Sequence, residues 1–120
     1  MKRDMDLCRA ILLHVEGLGL ANYSIDREDF PNHDRQAVIY NADLLINAGF
    51  IEGRSGGSFP MVSGLTWAGH EFLDAARDDT VWNKGKAAVA KAGGGLAFEV
   101  LKSVLVGLCT QAAKSAAGIP

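Results

Sequence analysis

Residues 34–78 read DRQAVIYNADLLINAGFIEGRSGGSFPMVSGLTWAGHEFLDAARD, and the order of signals in that stretch decides the fold. From Asp34, apolar residues recur at Ala37, Val38, Ala42, Leu44, Leu45 and Ala48, and steps of three and four put such residues along one helical face. Pro31 ends any earlier helix, Asn32 is placed to cap the first turn, and Asp34 is favourable at the positive end of the helix dipole. Gly49 closes the helix, because glycine at C′ takes the left-handed conformation without a Cβ clash. Phe50 to Arg54 and Phe59 to Leu65 are then two β-capable runs around Ser55-Gly56-Gly57-Ser58. That pattern predicts a hairpin, and Pro60, which has no N–H for a ladder, marks the returning run as an edge strand. Thr66 caps a helix in which Trp67, Phe72 and Leu73 supply apolar contacts and Ala68, Ala75 and Ala76 allow close approach. Trp67, Phe72 and Leu44 are the expected buried residues of a winged-helix-like core whose wing is the hairpin.

Working outward, Asp4 to Val15 reads as a first helix with Met5, Leu7, Cys8, Ile11, Leu12 and Val15 inward. His14 lies beside that stripe as a partly exposed surface residue, with no second ligand at metal spacing. Leu20 to Ile25 is a short strand that pairs with the wing, and Asp26 to Phe30 leaves room for about one helical turn. On the far side, Asp79 or Thr80 caps a helix through Ala87, Val89 and Ala90, anchored by Trp82, and Gly93-Gly94-Gly95 is a hinge or tight reversal. The last helix, Leu96 to about Ala113, carries a seam at Phe98, Leu101, Leu105 and Leu108 that is expected to pack on its own domain and on a second copy. Glu99, Lys102, Ser103 and Gln111 interrupt it, so it does not span a membrane. The fold class expected is α+β, mostly helical: a winged-helix-like core over 1–80 and a C-terminal helical extension over 81–120, packed together as one structural unit.

The chain has 120 residues and a net charge of −2, enough for one ordinary globular domain. Charge is unevenly distributed: residues 1–80 hold seven Lys and Arg against thirteen Asp and Glu, while residues 81–120 hold five against one. An acidic core opposes the clustered basic side chains on which phosphate affinity rests. Cys8 and Cys109 both fall on apolar helical stripes, which implies reduced thiols and a cytoplasmic setting; Met1-Lys2-Arg3-Asp4 has no long apolar region behind it and is not a secretory signal.

The chemistry that the residues offer is thin. His70 and Asp74 share the i, i+4 spacing of one helix face, but the second His of a zinc-protease motif is absent, and a structural His70–Asp74 hydrogen bond is expected instead. Glu71 and Asp74 sit three residues apart as ordinary surface carboxylates. Gly93-Gly94-Gly95 lacks the preceding strand and following Lys-Ser/Thr of a phosphate loop. No catalytic residue, cofactor or metal is expected, and the chain does not read as an enzyme.

The opening Met1-Lys2-Arg3-Asp4-Met5-Asp6-Leu7, the helix exit Ala48-Gly49-Phe50-Ile51-Glu52, the central run from Leu65 to Lys84 and the stretch from Gly94 to Lys102 together resemble a family of small bacterial and prophage proteins catalogued as a domain of unknown function. The resemblance spans nearly the whole chain. It implies a winged-helix-like fold and a bacterial or phage origin, and brings no activity, cofactor or site residue. Where relatives tend to carry a His after the tyrosine of the long helix, this chain has Tyr40-Asn41.

Two functional readings follow. In the first, the protein is an interaction module that engages another protein or forms a homodimer through the acidic face or the seam of Phe98, Leu101, Leu105 and Leu108. In the second, it is a DNA-binding regulator whose 34–48 helix enters the major groove, with Arg35, Gln36 and Asn41 exposed on it and Arg54 following the backbone from the 50–65 wing. The charge distribution favours the first.

Overall fold

The computed structural model describes residues 2–55, 59–91 and 98–118, the side chains of Arg27 and Phe98 excepted. The architecture is α+β and mostly helical: α1 (Met5–Glu16), β1 (Tyr23–Ser24), a turn of 3-10 helix (Arg27–Asp29), α2 (Arg35–Asn47), β2 (Ile51–Arg54), β3 (Met61–Leu65), α3 (Trp67–Ala76), α4 (Asp79–Lys91) and α5 (Phe98–Ala116). It divides into two compact units, Met1–Glu71 and Phe72–Pro120.

In the first unit, α1 starts at Asp4, whose carboxylate accepts the Leu7 N–H at 3.1 Å. Its apolar stripe is buried over Met5, Leu7, Cys8, Ile11, Leu12 and Val15 as the spacing predicts. The N-cap of α2 is Asp34, which accepts from the Ala37 N–H at 2.8 Å; Asn32 does not cap it. A carboxylate directly before the first helical residue satisfies an orphan donor and the dipole together, whereas a side chain two residues earlier lies outside the cap position. At the other end Gly49 has a φ of 85°, and the N–H groups of Phe50 and Gly49 return to the carbonyls of Leu45 and Ile46. This is a Schellman closure, and it sends the chain straight into β2.

The strands form one antiparallel sheet of order β1-β3-β2, in which β2 and β3 are an adjacent antiparallel pair. β3 is therefore central, not the edge strand expected from Pro60. The proline precedes the strand, where no ladder donor is required, and its carbonyl accepts the Ile25 N–H at 2.9 Å. The turn at residues 56–58 lies outside the described residues. A bulge falls between Glu52 and Gly53. Gly53 is required there, since a Cβ would run into the carbonyl oxygen of Met61. Ile25, Phe30, Val38, Ala42, Leu45, Ile51 and Val62 complete the core between the sheet and the helices. Leu44 is half-buried, beside the stripe instead of on it.

The second unit holds the remainder of α3 with α4 and α5. Asp78 caps α4, accepting from the Val81 N–H at 2.9 Å, one residue earlier than the expected Asp79 or Thr80. The Phe72 and Trp82 rings meet edge to face at 6.3 Å. α4 and α5 touch at Gly85, where a Cβ would stand 2.6 Å from Cδ2 of Leu105 and 3.7 Å from Cδ1 of Leu101. The seam of α5 is thus divided: Leu101 and Leu105 are fully buried on α4, Leu108 is half-buried, and the Phe98 side chain lies outside the described residues. Leu101 and Leu105 are not available to a second copy, which corrects their place in a self-association surface. Gly93-Gly94-Gly95 also lies outside the described residues. Among the described residues no helix is long and apolar enough to cross a membrane.

Candidate functional site

The residues expected to read DNA do not share one surface. Asn41 is completely buried. It stands on the inner stripe Val38, Asn41, Ala42, Leu45 of α2, a run at i, i+3, i+4 and i+7, so the helical period itself turns it inward. Its Oδ1 accepts the Asp4 N–H at 2.8 Å and faces the Cys8 thiol at 3.5 Å, while its Nδ2 donates to the Ala37 carbonyl at 2.9 Å. Such an amide cannot reach a base edge. Arg35 is exposed but lies over the Phe59 ring at 4.8 Å. Asn47 accepts from the Ser55 hydroxyl at 3.2 Å. Gln36 is exposed on α2 and Arg54 on the wing. Asp43 is half-buried, with one oxygen enclosed and without a partner, and burial raises its carboxyl above the usual range.

The start of α3 presents the other feature. The Thr66 N–H donates to the Phe50 carbonyl at 3.1 Å, its hydroxyl donates to the Gly49 carbonyl at 2.6 Å, and that hydroxyl accepts the Gly69 N–H at 3.1 Å. Gly69 lies so close to the Phe50 carbonyl that a Cβ would collide with it. The next residue after this clamp is Trp67, which is 81% exposed and not buried as its apolar character suggested. At about 100° per residue, Gly69, Phe72, Leu73 and Ala76 form the inner face and Trp67 lies opposite. That spacing was available in the sequence as the signal that the indole faces water.

On the sheet, Asn22, Gly53, Arg54, Met61 and Ser63 line a shallow groove of about 520 Å³. Sequence reasoning singled out Arg54 but not its neighbours, because the groove exists only once three strands lie side by side. Elsewhere His14 Nε2 meets Asp29 at 3.4 Å, and the His14 and Phe30 rings meet edge to face with centroids 5.4 Å apart. Asp74 pairs with Arg77 at 3.0 Å instead of bonding His70. Among the described residues no three His, Cys, Asp or Glu side chains gather for a metal. Both cysteines are free thiols, Cys8 buried and Cys109 half-buried.

The family model of hypothetical proteins named DUF2513 matches residues 2–95. The chain belongs to the DUF2513 family. An uncharacterized protein of Haemophilus influenzae (strain ATCC 51907 / DSM 11121 / KW20 / Rd) is 37% identical over 115 residues, covering 92% of this chain and 98% of its own length. No solved structure matches. The DUF2513 match takes in α1 to α4, and with them the α3 clamp, Trp67 and the groove; α5 begins after it ends.

Proposed function

We propose that this chain is a non-catalytic protein-interaction module that engages a partner protein around Trp67. The observation that carries the reading is an indole 81% exposed on a backbone held by three hydrogen bonds. Burial of a Trp removes roughly 150–250 Å² from water, about 4–6 kcal/mol gross at about 25 cal/mol per Å². A fixed backbone lowers the ordering loss on binding, and Trp is the residue type most enriched among interface anchors. The partner is another protein or a second copy; on α5, Val100 and Val106 are the large apolar residues left exposed for the latter, at 52% and 45%.

A photo-reactive amino acid at position 67, used in cells that produce the protein, tests this. The expected result is a discrete protein adduct that a probe at the exposed Lys84 does not give. Identical adduct patterns at the two positions would remove the reading.

The second reading, a DNA-binding regulator using the 34–48 helix and the 50–65 wing, is favoured by the succession of α2 and the β2–β3 hairpin and by the exposed Gln36 and Arg54. It is opposed by the enclosed Asn41 and by the acidic balance of residues 1–80. The interaction reading expects only weak, salt-labile binding to random duplex, at about 10⁻⁴ M or poorer at physiological salt, and tight sequence-specific binding would favour the DNA reading instead.

A further inference from the structure

We propose that the groove on the open face of the sheet binds a carboxylate group of a partner peptide, with Arg54 as its cationic anchor. The proposal rests on the protein-interaction reading and names a contact of that module separate from Trp67.

The strand register assembles the groove. Met61 stands opposite Ser24 on one side and Arg54 on the other, so these three form a row across the sheet. Asn22, just before β1, and Ser63, at the bulge of β3, line the same groove as Arg54 and Met61. Neighbouring strands lie about 4.8 Å apart, so the outer strands β1, which follows Asn22, and β2, which carries Arg54, flank a gap of roughly 10 Å above β3. Gly53, where a Cβ would run into the Met61 carbonyl, lines the groove with backbone alone. The Met61 side chain, 42% exposed, supplies an apolar platform.

Arg54 and Asn22 bring unengaged donors to this gap. Among the described residues, Arg54 has no ion pair, hydrogen bond or ring contact, and the Asn22 carboxamide is also without a partner. The Ser63 hydroxyl donates to the Glu52 carbonyl at 3.3 Å, so its proton is already engaged. A guanidinium has a planar fork matched to a carboxylate, and the Asn22 amide can add a donor from the other side of the groove. Charge decides between classes of anion. Residues 1–71 hold six Lys and Arg against ten Asp and Glu. The Arg54 guanidinium accommodates a single carboxylate, whereas a polyanion such as DNA is disfavoured by the acidic balance of the unit.

Amide and arginine Nε resonances of the full chain, followed by NMR during titration, provide the test. The probes are acetate, inorganic phosphate, a short free-acid peptide ending in a hydrophobic residue, the same peptide amidated, and a duplex oligonucleotide. The expected result is saturable shifts at Asn22, Gly53, Arg54 and Ser63 with acetate and the free-acid peptide, weakened roughly tenfold or more by Arg54→Gln and absent with the amidated peptide. Trp67→Ala should leave them unchanged, so a failure of the Trp67 reading is told apart from a failure here. Shifts that persist in Arg54→Gln, that fall elsewhere, that phosphate elicits more strongly than acetate, or that the duplex produces at lower concentration would overturn the proposal. So would no saturable shift at all.

Discussion

The backbone N–H of Asp4 donates to Oδ1 of Asn41 across 37 residues of sequence, at 2.8 Å. This joins the capping residue of α1 to the middle of α2: Asp4 holds the Leu7 N–H with its carboxylate and the Cys8 N–H with its carbonyl while its own N–H is taken by Asn41. Asn41 is the one fully enclosed polar side chain among the described residues, and the partners of its amide explain why it is tolerated there.

Asn41→Ala should therefore act on stability. Removing the amide strands the Asp4 N–H and opens a small void, and a loss of about 2 kcal/mol is expected. A fall in the urea midpoint with unchanged slope records it. An unaltered midpoint would return Asn41 to the surface and reopen the DNA reading.

The two close-contact glycines should differ in tolerance. At Gly69 a Cβ meets the Phe50 carbonyl, fixed backbone that also accepts the Thr66 N–H, so Gly69→Ala should destabilise by about 3 kcal/mol. At Gly85 the obstacle is the far end of Leu105, which can rotate, and alanine gains about 1 kcal/mol of helix propensity. Gly85→Ala should lower stability by about 1 kcal/mol or less. Thermal melts of the two variants side by side check the order.

Leu105→Glu should unfold α4 and α5 as a pair and not yield a folded monomer from a dimer. The side chain is enclosed against Gly85 of the same chain, and a carboxylate there must be neutralised or reach water, at about 3 kcal/mol or more. Circular dichroism shows the loss of helix. A fully folded Leu105→Glu of unchanged helicity would contradict the α4–α5 contact.

The thiols should label in two phases. Burial pushes Cys8 up to about 12, with Asp4 acting in the same direction and Arg3 against it. Cys109 is half-buried, with its thiol donating to the Ala75 carbonyl at 3.4 Å. At pH 8 a thiol reagent should modify Cys109 first, and Cys8 only as the fold opens. Because the folded state keeps the Cys8 proton, its contribution is complete below the unfolded thiol range of about 8.5. It declines as pH rises from there toward about 12. Stability measured between pH 8 and 10 should fall, and Cys8→Ala should remove that slope while lowering the overall level.

Much of this molecule is written in short-range pattern. Helical spacing alone places Leu7, Ile11 and Val15 inward, Gly49 as a left-handed stop and Thr66 as a cap, because each depends on residues within about one turn. The same spacing, read as strict steps of three and four, also contains Asn41 inside and Trp67 outside. Residue type argued the other way in both cases, and geometry prevailed: an enclosed amide is stable once its donors and acceptors are filled, and an indole on the wrong face of a helix has nothing to bury it. What the sequence alone could not reach depends on partners distant along the chain. Only the tertiary structure supplied the Asp4 donor for Asn41, made β3 central by pairing it with β1, set Leu101 and Leu105 on Gly85 instead of on a second copy, and brought Asn22 into one groove with Arg54. Long-range pairing is set by which surfaces fit when whole elements meet, and a linear pattern records the faces of elements but not their mates.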